Sequence, residues 1–332
     1  MIAHRTARPV RAVAALDLGA TKLAAAFFAG DGRPRARRVL ALRGRRGPAV
    51  GALMCREVTR LRRAATAEGL RVDGVGAAVP GIARAGSGRV WAPNIPGWDD
   101  YPLRDELEAA VGGPATPVAV DSDRAACILG EAWRGAARGC RDAVFLAVGT
   151  GIGAGILAGG QVLRGAHDGA GSAGWLALSR PFQSEYSACG DFEYHASGEG
   201  LARAATKLLS RTAGYRGPLN LRRALTARDV FAAYEAGDIL AARVMRDAIE
   251  YWGAACANLV SLLDPEKIVI GGGVSNAGEL LLGPARAVLE KRAMTDEWRH
   301  MPIQLAELGE DVGLLGAASL VLAEVDGSTF GA

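Results

Sequence analysis

The sequence predicts an α/β protein of two domains built on one repeated layout. Three observations carry the prediction. The chain has 332 residues, enough for two domains with cores of their own. Apolar strand signals alternate with helix-spaced apolar positions through its first half. A strand, a turn containing Gly and Thr, and a second strand follow one another twice, around Asp17 and again around Gly149. In a Rossmann unit the Gly-rich turn opens a helix instead, so the repeat points to a duplicated fold of another kind.

The elements follow in order. Val13-Ala14-Ala15-Leu16 reads as a buried strand, and the Gly/Thr turn after it leads into a second apolar run, Leu23 to Phe28. Gly51 to Glu68 carries apolar positions at helical spacing. Gly74 to Val79 reads as a strand ended by Pro80-Gly81. Val118-Ala119-Val120 is a short strand followed by Asp121-Ser122-Asp123, and Ala125 to Ala137 reads as a helix. Ala143 to Val148 is a buried strand running into Gly149-Thr150-Gly151-Ile152-Gly153, and Ile156-Leu157-Ala158 turns at Gly159-Gly160. The longest helix runs from about Asp238, as N-cap, to Leu263, with Asp264-Pro265 as its stop. Lys267 to Ile270 form a strand entering the turn Gly271-Gly272-Gly273, and the last helix spans Val312 to Val325.

Composition narrows the function. Half the chain is hydrophobic but only 6% is aromatic, so the core is mostly Ala, Val and Leu, and 45 glycines suit tight turns and close backbone approaches. The net charge of +4, carried mostly by dispersed Arg, argues against a nucleic-acid partner. Met1 to Arg11 is basic, but no signal core follows and no stretch reaches membrane-spanning length without charge; a soluble cytoplasmic protein with no membrane partner is expected. Five scattered cysteines, Cys55, Cys127, Cys140, Cys189 and Cys256, form no CxxC pair, so reduced and mostly buried thiols are expected.

Asp17-Leu18-Gly19-Ala20-Thr21-Lys22 brings a carboxylate, a tight turn, a hydroxyl and a cation together at a strand end. The turn aims backbone N–H groups outward, and Asp17 can hold Mg²⁺ through water, which makes a phosphate grip. An ordinary hairpin with a polar turn accounts for the same residues, and the motif alone does not separate the two.

Three Gly-rich turns after apolar strands, at Asp17, Gly149 and Gly271, with Asp123 between the first two, resemble the ROK family of sugar kinases and repressors within the actin-like/hexokinase ATPase superfamily. Val79-Pro80-Gly81, Ala92 to Trp98, Gly130-Glu131 and Gly313 to Ala318 look like family segments too. The resemblance implies two actin-like (ribonuclease H-like) α/β domains with mixed central sheets flanked by helices, closing over a cleft. Residues 1–120, joined by the C-terminal helix 312–326, would form one domain and 121–311 the other, a boundary placed by motif order. It implies ATP and Mg²⁺ as cofactors, a small sugar as substrate and a homodimer. Asp17, Gly19, Thr21 and Lys22 match its first phosphate motif, and Gly149, Thr150, Gly151 and Gly153 the second. Gly271, Gly272, Gly273 and Val274 match the segment beside adenosine. Asn94 and Asp123 match residues that hold the sugar, Gly81 falls in a sugar-side segment, and Asp123 also matches the catalytic base.

Phosphoryl transfer needs positioning and charge neutralisation, and a carboxylate within reach orients the attacking hydroxyl and accepts its proton. Asp123 stands at a helix start, where the helix N-terminus keeps it ionised. Spacing alone does not tell base from N-cap, and Asp121 is an equal candidate without the resemblance.

The chain departs from the family after its second phosphate motif. Ser172 stands where a sugar-binding Glu is usual and Trp175 where a His is usual, and the cysteine-rich zinc segment is reduced to Ser187 to Glu193, so no structural zinc is expected. Glu193 still matches a sugar-contacting Glu. Trp175 either stacks on a sugar face or fills the core left by the zinc site. Asp168, Glu185, Asp191 and Glu193 make this segment acidic, which would suit a cationic amino sugar such as kanosamine. The expected activity is transfer of the γ-phosphate of ATP to the 6-hydroxyl of a hexose or amino hexose. The alternatives are an ordinary glucokinase or N-acetylmannosamine kinase and a non-catalytic sugar or nucleotide binder. A repressor is not expected, because only 16 residues precede Asp17.

Overall fold

A computed structural model describes residues 10–221 and 223–326. The basic segment Met1 to Arg11 therefore lies outside the described residues except for its last two. The chain forms two compact units. The first takes the chain up to Gly139, the segment Arg164–Gly169 and the chain from Leu308 onward; the second takes Cys140–Leu163 and Ala170–Glu307.

The first unit is built from β1 (Val10–Leu18), β2 (Lys22–Phe28), β3 (Pro34–Ala41), α1 (Pro48–Ala67), β4 (Leu70–Val79), a small ribbon of β5 (Ile82–Ala83) and β6 (Val90–Trp91), α2 (Leu103–Val111), β7 (Val118–Ser122) and α3 (Asp123–Arg134). Its sheet has the order β3-β2-β1-β4-β7, with β1, β2 and β3 antiparallel and β4 and β7 parallel to β1.

The second unit repeats that plan with β8 (Ala143–Val148), β9 (Ile152–Ala158), β10 (Gln161–Val162), α4 (Asp191–Ala196), α5 (Gly198–Ser210), α6 (Ala227–Glu235), α7 (Ile239–Leu263), β11 (Lys267–Gly271), α8 (Glu279–Arg292), α9 (Asp296–Arg299) and β12 (Ile303–Leu305). Its sheet runs β10-β9-β8-β11-β12, again three antiparallel strands followed by two parallel ones. The chain ends in the first unit with α10 (Val312–Asp326).

The apolar run of β1 is continuous because both faces of its sheet are covered. Ala12, Ala14, Leu16 and Leu18 join the core containing Leu53, Val58 and Leu61 of α1. Val13 and Ala15 face the other way, into a core with Leu314, Ala317, Ala318 and Val321 of α10. Helices α10 and α3 cross with backbones in contact: a Cβ at Gly316 would collide with the Ala126 carbonyl. In the second unit the core centres on Val144, Leu146, Trp252 and Cys256.

The structure differs from the sequence reading in several places. Helix α3 starts at Asp123, two residues before the expected start at Ala125, because Ser122 caps it. It packs on α10, so the first unit extends to Gly139 rather than ending near residue 120. Helices α2, α4, α5, α6, α8 and α9 are not among the elements read from the sequence. Of the five thiols only Cys256 is fully buried; the other four are half-buried, and all are free. Among the described residues no helix is long and apolar enough to cross a membrane.

Candidate functional site

In the first unit three consecutive residues at the end of β7 divide three tasks. Ser122 Oγ accepts the Ala125 amide at 3.2 Å and serves as the N-cap of α3. Asp121 Oδ2 accepts from Arg164 Nε and Nη2 at 2.9 and 2.7 Å, and its Oδ1 takes the Ser122 amide at 2.7 Å. Asp123 is left for neither duty: its Oδ1 accepts the amide of its neighbour Arg124 at 2.8 Å. The choice the sequence left open, cap or base and Asp121 or Asp123, is thus narrowed by geometry. Burial raises the pKa of Asp123, opposed by the Arg124 charge and by backbone N–H groups.

Asp17 is the penultimate residue of β1 and the partner of Ala24 across the hairpin. Burial pushes its carboxyl up to about 6; the charge of Asp123 pushes the same way and Lys22 opposes. Gly313, in the first turn of α10, lies so close that a Cβ there would collide with the Asp17 carboxylate. A buried acid whose ionisation Asp123 opposes, close to a helix N-terminus and beside an exposed turn, suits Mg²⁺, which binds through one or two carboxylates and keeps its waters. In the turn itself the Gly19 amide donates to the Lys22 carbonyl at 2.8 Å, so it closes the hairpin instead of facing a ligand. Thr21 and Lys22 are exposed.

Two further candidates of this unit sit on rigid loops. Gly81 has φ +86° and its carbonyl accepts Arg124 Nη2 at 3.1 Å, which ties the turn after β4 to the residue next to Asp123. Asn94 is exposed on a turn fixed from beneath by Trp98, whose ring is buried, stacks on Tyr101 at 4.5 Å and donates Nε1 to the Gly47 carbonyl at 3.1 Å.

In the second unit the hairpin of β8 and β9 is closed by the Gly149 amide on the Gly151 carbonyl at 2.9 Å, and the Gly149 carbonyl accepts the Gly198 amide at 2.7 Å. Beside it lies a cavity of about 780 Å³ lined by Gly149, Thr150, Phe231, Gly273, Val274 and Leu280. A Cβ at Gly273 would meet nothing within 4 Å, and at Gly149 only the Gly273 amide nitrogen at 3.8 Å. Neither glycine has a backbone that demands it, yet both line the cavity; a side chain there would fill ligand space and not protein space. The cradle therefore fits a nucleotide. Gly153 and Gly271 do not line it. Gly153 is buried within β9 opposite Ala147, and a Cβ at Gly271 would collide with the Phe145 ring. Gly272, at φ +88°, packs on the Val148 backbone. The α6 wall of the cavity, with Arg228 and Phe231, was missed by sequence reading; the Thr226–Asp229 capping box that starts α6 is the signal that marked it.

The segment that departs from the family is built around acids. Glu193 Oε2 accepts the Ile152 amide at 2.6 Å, at the end of the Gly-rich turn; burial raises its pKa and that N–H opposes. Trp175 is 58% exposed, so it fills no core. Ser172 is exposed and accepts the Trp175 amide on its carbonyl at 3.0 Å. Asp191 is buried and committed to Leu178 and Ser179, so it does not contribute to an acidic pocket, and Glu185 is exposed. Among the described residues no group of three or more His, Cys, Asp or Glu is arranged to hold a metal ion.

A sequence model of the ROK family matches residues 13–324. A glucokinase from Halalkalibacterium halodurans is 38% identical over 255 residues, covering 75% of this chain and 76% of that protein. Among solved structures, a ROK hexokinase from Thermus thermophilus is 34% identical with a TM-score of 0.78, over 96% of this chain and 100% of that one. A ROK family glucokinase from Streptomyces griseus, in complex with glucose and AMPPNP, is 30% identical with a TM-score of 0.73, over 93% of this chain and 98% of the other.

Proposed function

Because the chain belongs to the ROK family, we propose that it is an ATP-dependent sugar kinase that transfers the γ-phosphate to the 6-hydroxyl of a hexose. The observation that carries this reading is the division of labour at the end of β7: Ser122 caps the helix, Asp121 holds Arg164, and Asp123 remains for the substrate.

In this reading Asp123 accepts the hydroxyl proton as the oxygen attacks, while Asn94 and Gly81 orient the sugar. The cavity beside Gly149 and Gly273 takes the nucleoside, and the exposed residues of the two hairpin turns, Thr21, Lys22 and Thr150, meet the phosphates. Asp17 would hold Mg²⁺, which when bound offsets the charge of the phosphate oxygens. Glu193 and Trp175 contribute to sugar choice, with Ser172 offering a hydroxyl in place of the family's carboxylate.

The finer assignment to an amino hexose such as kanosamine rests on acidic residues near the sugar. With Asp191 spent on its own loop, Glu193 is the acid that supports it. A turnover screen of ATP against glucose, N-acetylmannosamine and kanosamine tests both levels. Turnover of any of them supports the kinase; a strong preference for glucose or N-acetylmannosamine removes the amino-sugar assignment. Binding of sugar and nucleotide with no turnover across the panel overturns the kinase reading in favour of a non-catalytic binder.

A further inference from the structure

Asp191 starts α4 and is buried. Its Oδ2 accepts the amides of Leu178 and Ser179, each at 2.7 Å, and its Oδ1 accepts Ser179 Oγ at 2.7 Å. Three donors of one loop therefore converge on one carboxylate. One helical turn further on, His195 places Nε2 3.5 Å from Oδ1 and 2.9 Å from the Tyr186 hydroxyl, with its ring stacked on Tyr251 at 4.5 Å. Moving this carboxylate would strand several donors away from water, so its position is well determined.

The helix it begins is only six residues long. Its far end is held as well: Trp252 Nε1 donates to the Ala196 carbonyl at 3.0 Å, and Phe192 and Ala196 are fully buried. Between these anchors Glu193 reaches the Ile152 amide. The loop that Asp191 grips follows directly on Trp175, and Gly190 packs its backbone on Gly174 and Trp175 so closely that no Cβ fits.

We propose that Asp191 is a positioning residue: it ties the loop bearing Trp175 to the start of α4 and so holds Glu193 against the Ile152 amide. Its effect on turnover rests on the reading of Glu193 as sugar-facing; the hold itself does not. A carboxylate that merely satisfied its own loop would leave the Ile152 amide, which it does not touch, unaffected.

Amide hydrogen exchange on the full chain, with KM for glucose and for ATP, separates these cases. Asp191→Ala should speed exchange at Leu178 and Ser179 and also at Ile152, the last by about tenfold or more. KM for glucose should rise about tenfold while KM for ATP stays within about twofold. Asp191→Asn, which keeps one acceptor oxygen, should fall between. Wild-type exchange at Ile152 alongside faster exchange at Leu178 and Ser179 overturns the proposal, as does an equal rise of both KM values. If Asp191→Ala does not fold, Asp191→Asn and Ser179→Ala carry the same comparison, and an unchanged Ile152 amide in both overturns it. Glu193→Ala keeps the two readings apart. If it leaves KM for glucose unchanged, Glu193 is not sugar-facing, and the exchange result still decides the role of Asp191.

Discussion

The two sheets share one strand plan, and their Gly-rich hairpins still do different work. In the first unit the hairpin stands beside acids: Asp17, near the end of β1, lies against the first turn of α10, and Asp123 opens α3. In the second it stands beside open space, the 780 Å³ cavity lined by Gly149 and Gly273. The shared topology sets where each turn lies relative to its own parallel strands, and a handful of side chains around it sets the chemistry. The duplicated frame is thus an argument about architecture, and function has to be read from each copy separately.

The largest expected effect separates two acids of the first unit that lie two residues apart. Asp123→Asn should lower kcat by about a thousandfold while glucose binding stays measurable by calorimetry. Asp121→Asn should act on stability instead. It weakens the Arg164 pair at a buried site and should cost about 1–3 kcal/mol in unfolding free energy, with a far smaller loss of kcat. Equal rate losses in the two variants would erase the distinction drawn at the end of β7.

Asp17 sharpens the same comparison through pH. Its carboxyl is raised from 3.8 to about 6, so between pH 4 and 6 the folded chain binds more protons than the unfolded one. Stability on its account is fully present below pH 4 and falls as pH rises toward 6, by a total on the order of 2–3 kcal/mol. Asp17→Asn should remove that slope and leave the chain more stable at pH 7 but poorly active. Thermal melts across this window check it, and Mg²⁺ with nucleotide should recover part of the loss in the wild type alone.

Much of the frame was legible in the sequence because continuous apolar runs and Gly/Thr turns are local signals. The β1–β2 and β8–β9 hairpins, the long α7 and its Asp238 cap all follow from neighbouring residues. What was not legible depended on partners far along the chain. The commitment of Asp121 to Arg164 and of Asp191 to Ser179 could not be read from spacing, nor could the exposure of Trp175. Glycines illustrate the limit most clearly. Gly271 and Gly273 look alike in the triple-Gly turn, but one is required by the Phe145 ring and the other stands at open space.

That contrast gives a third test. Gly273→Ala should raise KM for ATP about tenfold with little change in melting temperature, because its methyl enters the cavity and meets no protein atom. Gly316→Ala, which collides with the Ala126 carbonyl where α10 crosses α3, should destabilise by about 1–3 kcal/mol and leave KM for ATP near the wild-type value. A loss of stability in the first variant, with nucleotide affinity intact, would mean the turn is built for packing in both units.

The smallest effect concerns Arg124, the neighbour of Asp123 in the first turn of α3. Its guanidinium ties Gly81 to the start of α3, and its charge opposes the burial that raises the Asp123 pKa. A general base must be ionised to accept a proton, so the acid limb of kcat/KM reports that pKa in the free enzyme. Arg124→Gln removes the opposing charge and should move the acid limb to higher pH, lowering activity at pH 6 more than at pH 8. Arg124→Lys keeps the charge but gives up the planar fork that suits the Gly81 carbonyl. It should therefore restore the pH profile while leaving a several-fold higher KM for glucose, on the order of one lost hydrogen bond. If both variants shift the limb equally, the hold on Gly81 governs the base; if neither does, Arg124 acts on the loop alone.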